Sequence, residues 1–99
     1  MARTPEGLVK DKVVKILKEE GVYYFFPATG GFGRSGVPDI IGCVQGGKFL
    51  AIECKAGKNK PTLLQVRELE AIRSRDGVAV VVNDDNWDMI RELVKGLKG

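Results

Sequence analysis

Two apolar runs, residues 39–44 and 48–55, flank Gln45-Gly46-Gly47, and the length of that turn constrains the fold more than any other feature. Side chains alternate along a strand, so a slip of one residue exchanges the faces of every side chain. A two-residue Gly46-Gly47 turn pairs Gln45 with Lys48 and sets Asp39 opposite Cys54. Asp39 and Glu53 then point to opposite faces. A three-residue turn pairs Val44 with Lys48 and sets Asp39 opposite Glu53. Directly opposed Cβ atoms stand about 5 Å apart, close enough for two carboxylates to share one cation. The expected hairpin therefore has the three-residue turn, or a bulge of equal effect. Lys55, two residues beyond Glu53, shares its face.

The remaining segments frame that hairpin. Thr4-Pro5 predicts an N-cap with proline in the first turn, opening a helix that runs to about Glu20. Val9, Val13, Ile16 and Leu17 form its apolar stripe, and Gly21 stops it. Glu6 lies seven residues before Val13 and carries that inward face toward the helix start. Residues 22–26 are a β-branched and aromatic run, the first strand. Residues 27–37 hold Gly30, Gly31, Gly33 and Gly36 and read as a mobile loop without the spacing of a phosphate-cradling P-loop.

Thr62 and Gln65 fit a capping box opening a helix to about Arg75, which Gly77 ends. Residues 78–82 are five consecutive apolar residues, the pattern of a strand buried on both faces. Strand, helix, strand implies a right-handed parallel crossover from the third strand to the fourth. Residues 83–86 read as a turn and cap, and residues 87–97 as a last amphipathic helix. The order αβββαβα predicts an α/β fold with a mixed four-stranded sheet flanked by helices.

Ninety-nine residues suffice for one domain, 1–99, with a real core. No apolar run approaches the ~20 residues of a membrane helix, and residues 1–6 lack the apolar centre of a signal peptide. The expectation is a cytoplasmic protein with no membrane partner. The chain has no histidine, which removes His-based acid–base catalysis, Ser-His and Cys-His nucleophilic sites and His-ligated zinc. Cys43 and Cys54 sit in strand runs and read as small buried hydrophobes. A net charge of +3 suits a polyanionic partner. Lys55, Lys58 and Lys60 crowd one stretch, and Arg34 stands in the glycine-rich loop.

Catalysis in such a chain falls to carboxylates, lysines and a metal. Carboxylate oxygens are the hard ligands Mg²⁺ prefers, and two unpaired carboxylates buried together are costly without a cation. Gly36-Val37-Pro38-Asp39, Glu53-Cys54-Lys55 and the later Gln65 resemble the motifs of the PD-(D/E)xK nuclease superfamily, and more narrowly its VRR-NUC (virus-type replication–repair nuclease) branch. The resemblance covers nearly the whole chain and implies a restriction-endonuclease-like core. It implies that Asp39 and Glu53 ligate Mg²⁺ or Mn²⁺, with the Cys54 backbone carbonyl as a further ligand. Glu6 would complete the acidic cluster directly or through water. Lys55 would orient or help deprotonate the attacking water, and Gln65 would bear on the site from the next helix. Similarity to stand-alone VRR-NUC proteins, themselves like Holliday-junction resolvases, implies a homodimer acting on branched DNA in repair.

Bland readings stand beside these. Asp39 can simply start a strand, Lys55 can be a salt-bridge partner, Glu6 a helix-start charge and Gln65 only the partner of Thr62. Lys10, one turn after Glu6, either faces the site or pairs with it. Arg34 and Ser35 can reach a backbone phosphate, and Lys58 and Lys60 either bind DNA or do nothing. Trp87 and residues 23–26 read as core or subunit interface rather than base-stacking platforms. Asp84, Asp85 and Asp88 read as turn and helix-start acids. No helix-turn-helix, zinc finger or RNP pattern reads base edges, so selectivity would come from DNA shape. The competing classes are a non-catalytic DNA-binding scaffold and a protein binding a small phosphorylated ligand through Mg²⁺.

Overall fold

The computed structural model describes residues 3–28 and 33–99, so part of the 27–37 loop reading lies outside the described residues. Its elements run α1 (Pro5–Glu19), β1 (Tyr23–Phe25), β2 (Ile40–Val44), β3 (Lys48–Cys54), α2 (Leu63–Arg73), β4 (Val78–Val82) and α3 (Met89–Lys98). The sheet order is β1-β2-β3-β4. The first two pairings are antiparallel and β3 pairs with β4 in parallel, which makes the sheet mixed as its αβββαβα order requires.

α1 and α2 begin where a threonine side chain supplies a cap. Thr4 Oγ1 accepts from the Gly7 amide at 3.0 Å, and Pro5 occupies the first turn. At the other end the Gly21 amide donates to Lys18 and the Val22 amide to Leu17, the paired bonds of a Schellman stop. Gly21 takes the left-handed φ of 71° that this stop needs. Val9, Val13, Ile16 and Leu17 are all buried. They pack with Leu50, Ile52, Cys54, Ile90 and Val94 into the main core, on the face of the sheet that α1 and α3 cover. Each such fully buried aliphatic contributes roughly 1.5–3 kcal/mol. The odd-numbered β3 positions face the other way, where Ala51 meets Leu69 and Ala79 under α2.

The hairpin turn has three residues. Val44 pairs with Lys48 and Ile40 with Ile52, and the Gly47 amide donates back to Val44 at 3.0 Å. One step further along this register sets Asp39 opposite Glu53. Asp39 itself stands in a bend just before β2 rather than inside it.

Several local expectations are corrected. β1 is shorter than the run 22–26, and α2 ends at Arg73, two residues early. Asp76, at φ 66°, takes the left-handed position expected of Gly77. Gly77 is needed for another reason, because a Cβ there would lie 2.6 Å from Ile72. Trp87 belongs to the turns before α3, although it does pack on the main core. β4 is only partly buried: Ala79 and Val82 are sealed, while Val78, Val80 and Val81 are half-covered. Cys43 is exposed, unlike Cys54. Tyr23, Phe25 and Phe26 are exposed, which removes the core half of the core-or-interface reading for them. Tyr23, Phe25 and Cys43 are open because α2 packs on the β4 side of its face, leaving the β1–β2 half of that face uncovered.

Candidate active site

Glu53 is the one charged side chain in the described core, 1 % exposed. Its Oε2 accepts from Gln65 Nε2 at 2.9 Å and lies 3.4 Å from Lys55 Nζ. Its Oε1 is buried with no partner. Burial pushes its pKa up from 4.5 to about 7, the nearby Asp39 carboxylate adds to that, Lys55 opposes it and Glu6 contributes weakly. An orphaned carboxylate oxygen of this kind costs free energy in the fold, so the site is built around something beyond its own hydrogen bonds.

Asp39 follows buried Pro38 at the mouth of β2. Its Oδ2 accepts from the Cys54 amide at 2.8 Å, which ties the bend before β2 to the end of β3. Around it opens a cleft of about 220 Å³ lined by Arg3, Thr4, Glu6, Gly7, Lys10, Asp39 and Cys54. Here the start of α1 meets both strand ends, as the inward placement of Glu6 predicts. The Cys54 thiol is pushed up to about 12 by burial and by the Asp39 and Glu53 carboxylates. It is therefore no nucleophile at neutral pH.

Gln65 does two things at once. Its Oε1 accepts from the Thr62 amide at 2.8 Å and Thr62 Oγ1 accepts from the Gln65 amide at 3.2 Å, the reciprocal capping box. Its Nε2 meanwhile holds Glu53. The capping box and the contact with Glu53 are thus made by the same side chain, one from each end of its amide. Lys55 is fixed by its backbone, whose amide continues the β3–β4 pairing by donating to Val82 at 2.9 Å, and its side chain is 11 % exposed.

The donor set suits a divalent cation: two carboxylates at adjacent strand ends, one with a buried oxygen lacking any partner, beside the backbone of Cys54. The expected three-carboxylate grip is not closed, however. Among the described residues no three Asp, Glu, His or Cys side chains form a ready metal cage. Glu6 lines the cleft together with Asp39.

The outer candidates separate. Lys10 joins the cleft and stands over the Phe26 ring at 4.2 Å. Arg34 instead pairs with Glu68 on α2 at 2.9 Å, with three-quarters of its side chain in solvent, and Ser35 beside it is exposed. Gly36, at φ 79°, passes so near the start of α2 that a Cβ would lie 2.8 Å from the Leu64 backbone, which presses the segment before Asp39 against the helix carrying Gln65. Lys58 and Lys60 are exposed on the segment after Lys55. Asp84, read as a turn acid, anchors that segment through the Gly57 amide at 3.1 Å. Its signal could not be found in local pattern, because the two residues lie 27 apart. A more apolar cavity at Phe49, Ile72, Arg75 and Gly77 opens near the opposite end of β3 and holds no carboxylate.

The chain matches the family described as archaeal Holliday junction resolvase (Hjc) over residues 9–82, a span that includes Asp39, Glu53, Lys55 and Gln65 and leaves out Glu6. It is 38% identical over 89 residues to "Putative nuclease p44" of Acyrthosiphon pisum secondary endosymbiont phage 1, covering 90% of this chain and 92% of that protein. A solved structure described as "VRR_NUC domain" is similar at a TM-score of 0.75 and 25% identity, over 94% of this chain and 97% of that one. Its fold thus recurs in known proteins along most of its length, and the chain belongs to the archaeal Holliday junction resolvase family, with the fold of a VRR-NUC-like nuclease domain.

Proposed function

We propose that the protein is a metal-dependent, structure-selective DNA endonuclease that hydrolyses phosphodiester bonds at four-way junctions or other branched DNA. The observation that carries this reading is Glu53: buried, one oxygen without a partner, facing Asp39 across the strand ends. A binding-only protein has no use for clustered acids beside a polyanion. Asp39, Glu53 and the Cys54 carbonyl would hold Mg²⁺ or Mn²⁺, with Glu6 at its outer side. The ion would supply Lewis-acid polarisation of a phosphate oxygen and neutralise charge that develops in the displacement.

The chain's own groups do the rest. Gln65 and Lys55 hold Glu53 Oε2 from two sides, which leaves the buried Oε1 as the oxygen without a partner. The Cys54 amide orients Asp39. Lys55 Nζ donates to an attacking water or to a non-bridging phosphate oxygen. Lys10, Lys58 and Lys60, with Arg34 and Ser35 farther out, are the backbone-phosphate contacts, which position DNA without reading its sequence.

A homodimer gives such a domain two cuts at one junction. The open sheet half supports it, since Tyr23, Cys43 and Phe49 form one cross-strand row and both aromatics are exposed. Exposed apolar surface in a continuous row marks an interaction site.

Labelled junction, flap and duplex DNA incubated with Mg²⁺, Mn²⁺ or EDTA test the reading. Metal-dependent cleavage of branched DNA, lost in Asp39→Asn and Glu53→Gln, is expected. Binding of DNA without cleavage in either metal would overturn it in favour of the scaffold role.

A further inference from the structure

Phe26 follows β1, half-exposed and outside both buried clusters. Core packing therefore does not account for the ring. Tyr24 flanks it with ring centroids 5.8 Å apart, and Lys10 Nζ stands 4.2 Å from its centroid. Lys10 also lines the cleft that contains Glu6 and Asp39. Lys10 thus joins the ring to the carboxylate cleft, with its ammonium group over the ring. Tyr23 and Phe25 face the other side of the sheet with Cys43 and Ile41, their cross-strand partners, so Phe26 does not belong to the open apolar row.

We infer that Phe26 is a stacking platform for an unpaired nucleobase next to the scissile phosphate, with Lys10 contacting the phosphate of that nucleotide. The inference rests on the nuclease reading and deepens it by naming what in branched DNA is selected. A base in continuous duplex is sandwiched by its neighbours and cannot meet an isolated ring, whereas a base at a branch or strand exchange can leave the stack. Every base has a π-face, so an aromatic platform selects unpaired structure without selecting sequence. An ammonium group over the ring meets the same nucleotide's phosphate. This assigns Phe26 a role that the sequence alone did not favour for residues 23–26.

The test compares wild type, Phe26→Leu and Phe26→Trp on a junction with 2-aminopurine beside the branch and on continuous duplex. Affinity is read by anisotropy, in EDTA and in Mg²⁺, with circular dichroism confirming the fold. Phe26→Leu should weaken junction binding by roughly tenfold or more while duplex binding stays within about twofold, and Phe26→Trp should restore the junction affinity. The 2-aminopurine emission should change on binding wild type and not on binding Phe26→Leu. Equal weakening on both DNAs, no weakening, or no rescue by Trp overturns the inference. Junction cleavage by wild type that Phe26→Leu leaves unaltered sinks this inference alone. A wild type that neither binds nor cuts DNA sinks the nuclease reading with it.

Discussion

Replacing Glu53 with Gln removes a charge that the fold itself opposes, and the consequence for stability can be worked out with its sign. The carboxyl titrates at about 7 in the folded protein against 4.5 as its ordinary value. The folded state therefore holds this proton more tightly than the unfolded chain. The group's stabilising contribution is complete below pH 4.5 and is lost as pH rises through 7. With one pKa unit equal to about 1.4 kcal/mol, the full loss is about 3 kcal/mol, of which about 2 kcal/mol falls between pH 5 and 8. The side chain is only 2 % exposed, so solvent screening removes little of this.

Glu53→Gln keeps the size and an oxygen able to accept from Gln65, but it cannot ionise. Urea unfolding of both proteins in EDTA should therefore show the variant gaining on wild type by about 2 kcal/mol from pH 5 to pH 8. For a chain of this length that is a relative rise in Tm of roughly 10 °C. Adding Mg²⁺ at pH 8 should raise the stability of wild type and not that of the variant, since only a species bound by the folded state stabilises it. A difference independent of pH, or one that grows in favour of wild type as pH rises, would refute the reasoning.

Three further outcomes follow from other parts of the molecule. Iodoacetamide at pH 8 should label exposed Cys43 and spare Cys54, whose thiol is buried and pushed up to about 12; mass spectrometry of the native protein reads this, and equal labelling contradicts the packing of β3. Gly36→Ala should cost about 1–3 kcal/mol and lower cleavage, because it places a Cβ at positive φ against the Leu64 backbone; an unchanged Tm would refute the contact. Tyr23→Ser with Phe49→Ser should shift sedimentation from dimer to monomer while circular dichroism stays native, and a wild-type monomer would exclude the open sheet face as a subunit interface.

What was legible in the sequence is what local chemistry decides. The Gln45-Gly46-Gly47 turn left two registers open, and the three-residue one, which Val44 opposite Lys48 bears out, followed from requiring Asp39 and Glu53 on one face. The stripe from Val9 to Leu17 and the box from Thr62 to Gln65 were legible, since each is closed by residues a few positions apart. The site was legible only as two strand-end carboxylates and as what the resemblance of short motifs implies. That Gln65 caps its helix with one end of its amide and holds Glu53 with the other depends on how α2 lies across β3. That Asp39 accepts from the Cys54 amide depends on the bend before β2. Arg34 was read toward phosphate, yet its nearest partner, Glu68, becomes a neighbour only when residues 33–38 pack against α2. The exposure of Tyr23 and Phe25 was hidden likewise, because strand propensity says nothing about which half of a sheet a helix covers.

The account turns on whether the acidic side chains at the ends of β2 and β3 grip a single divalent ion between them. Calorimetric titration of the DNA-free protein with Mn²⁺ at pH 8 tests that most directly. Saturable binding by wild type, abolished by Asp39→Asn and by Glu53→Gln separately, is the predicted result. Undiminished binding in either variant, or none in wild type, would contradict it.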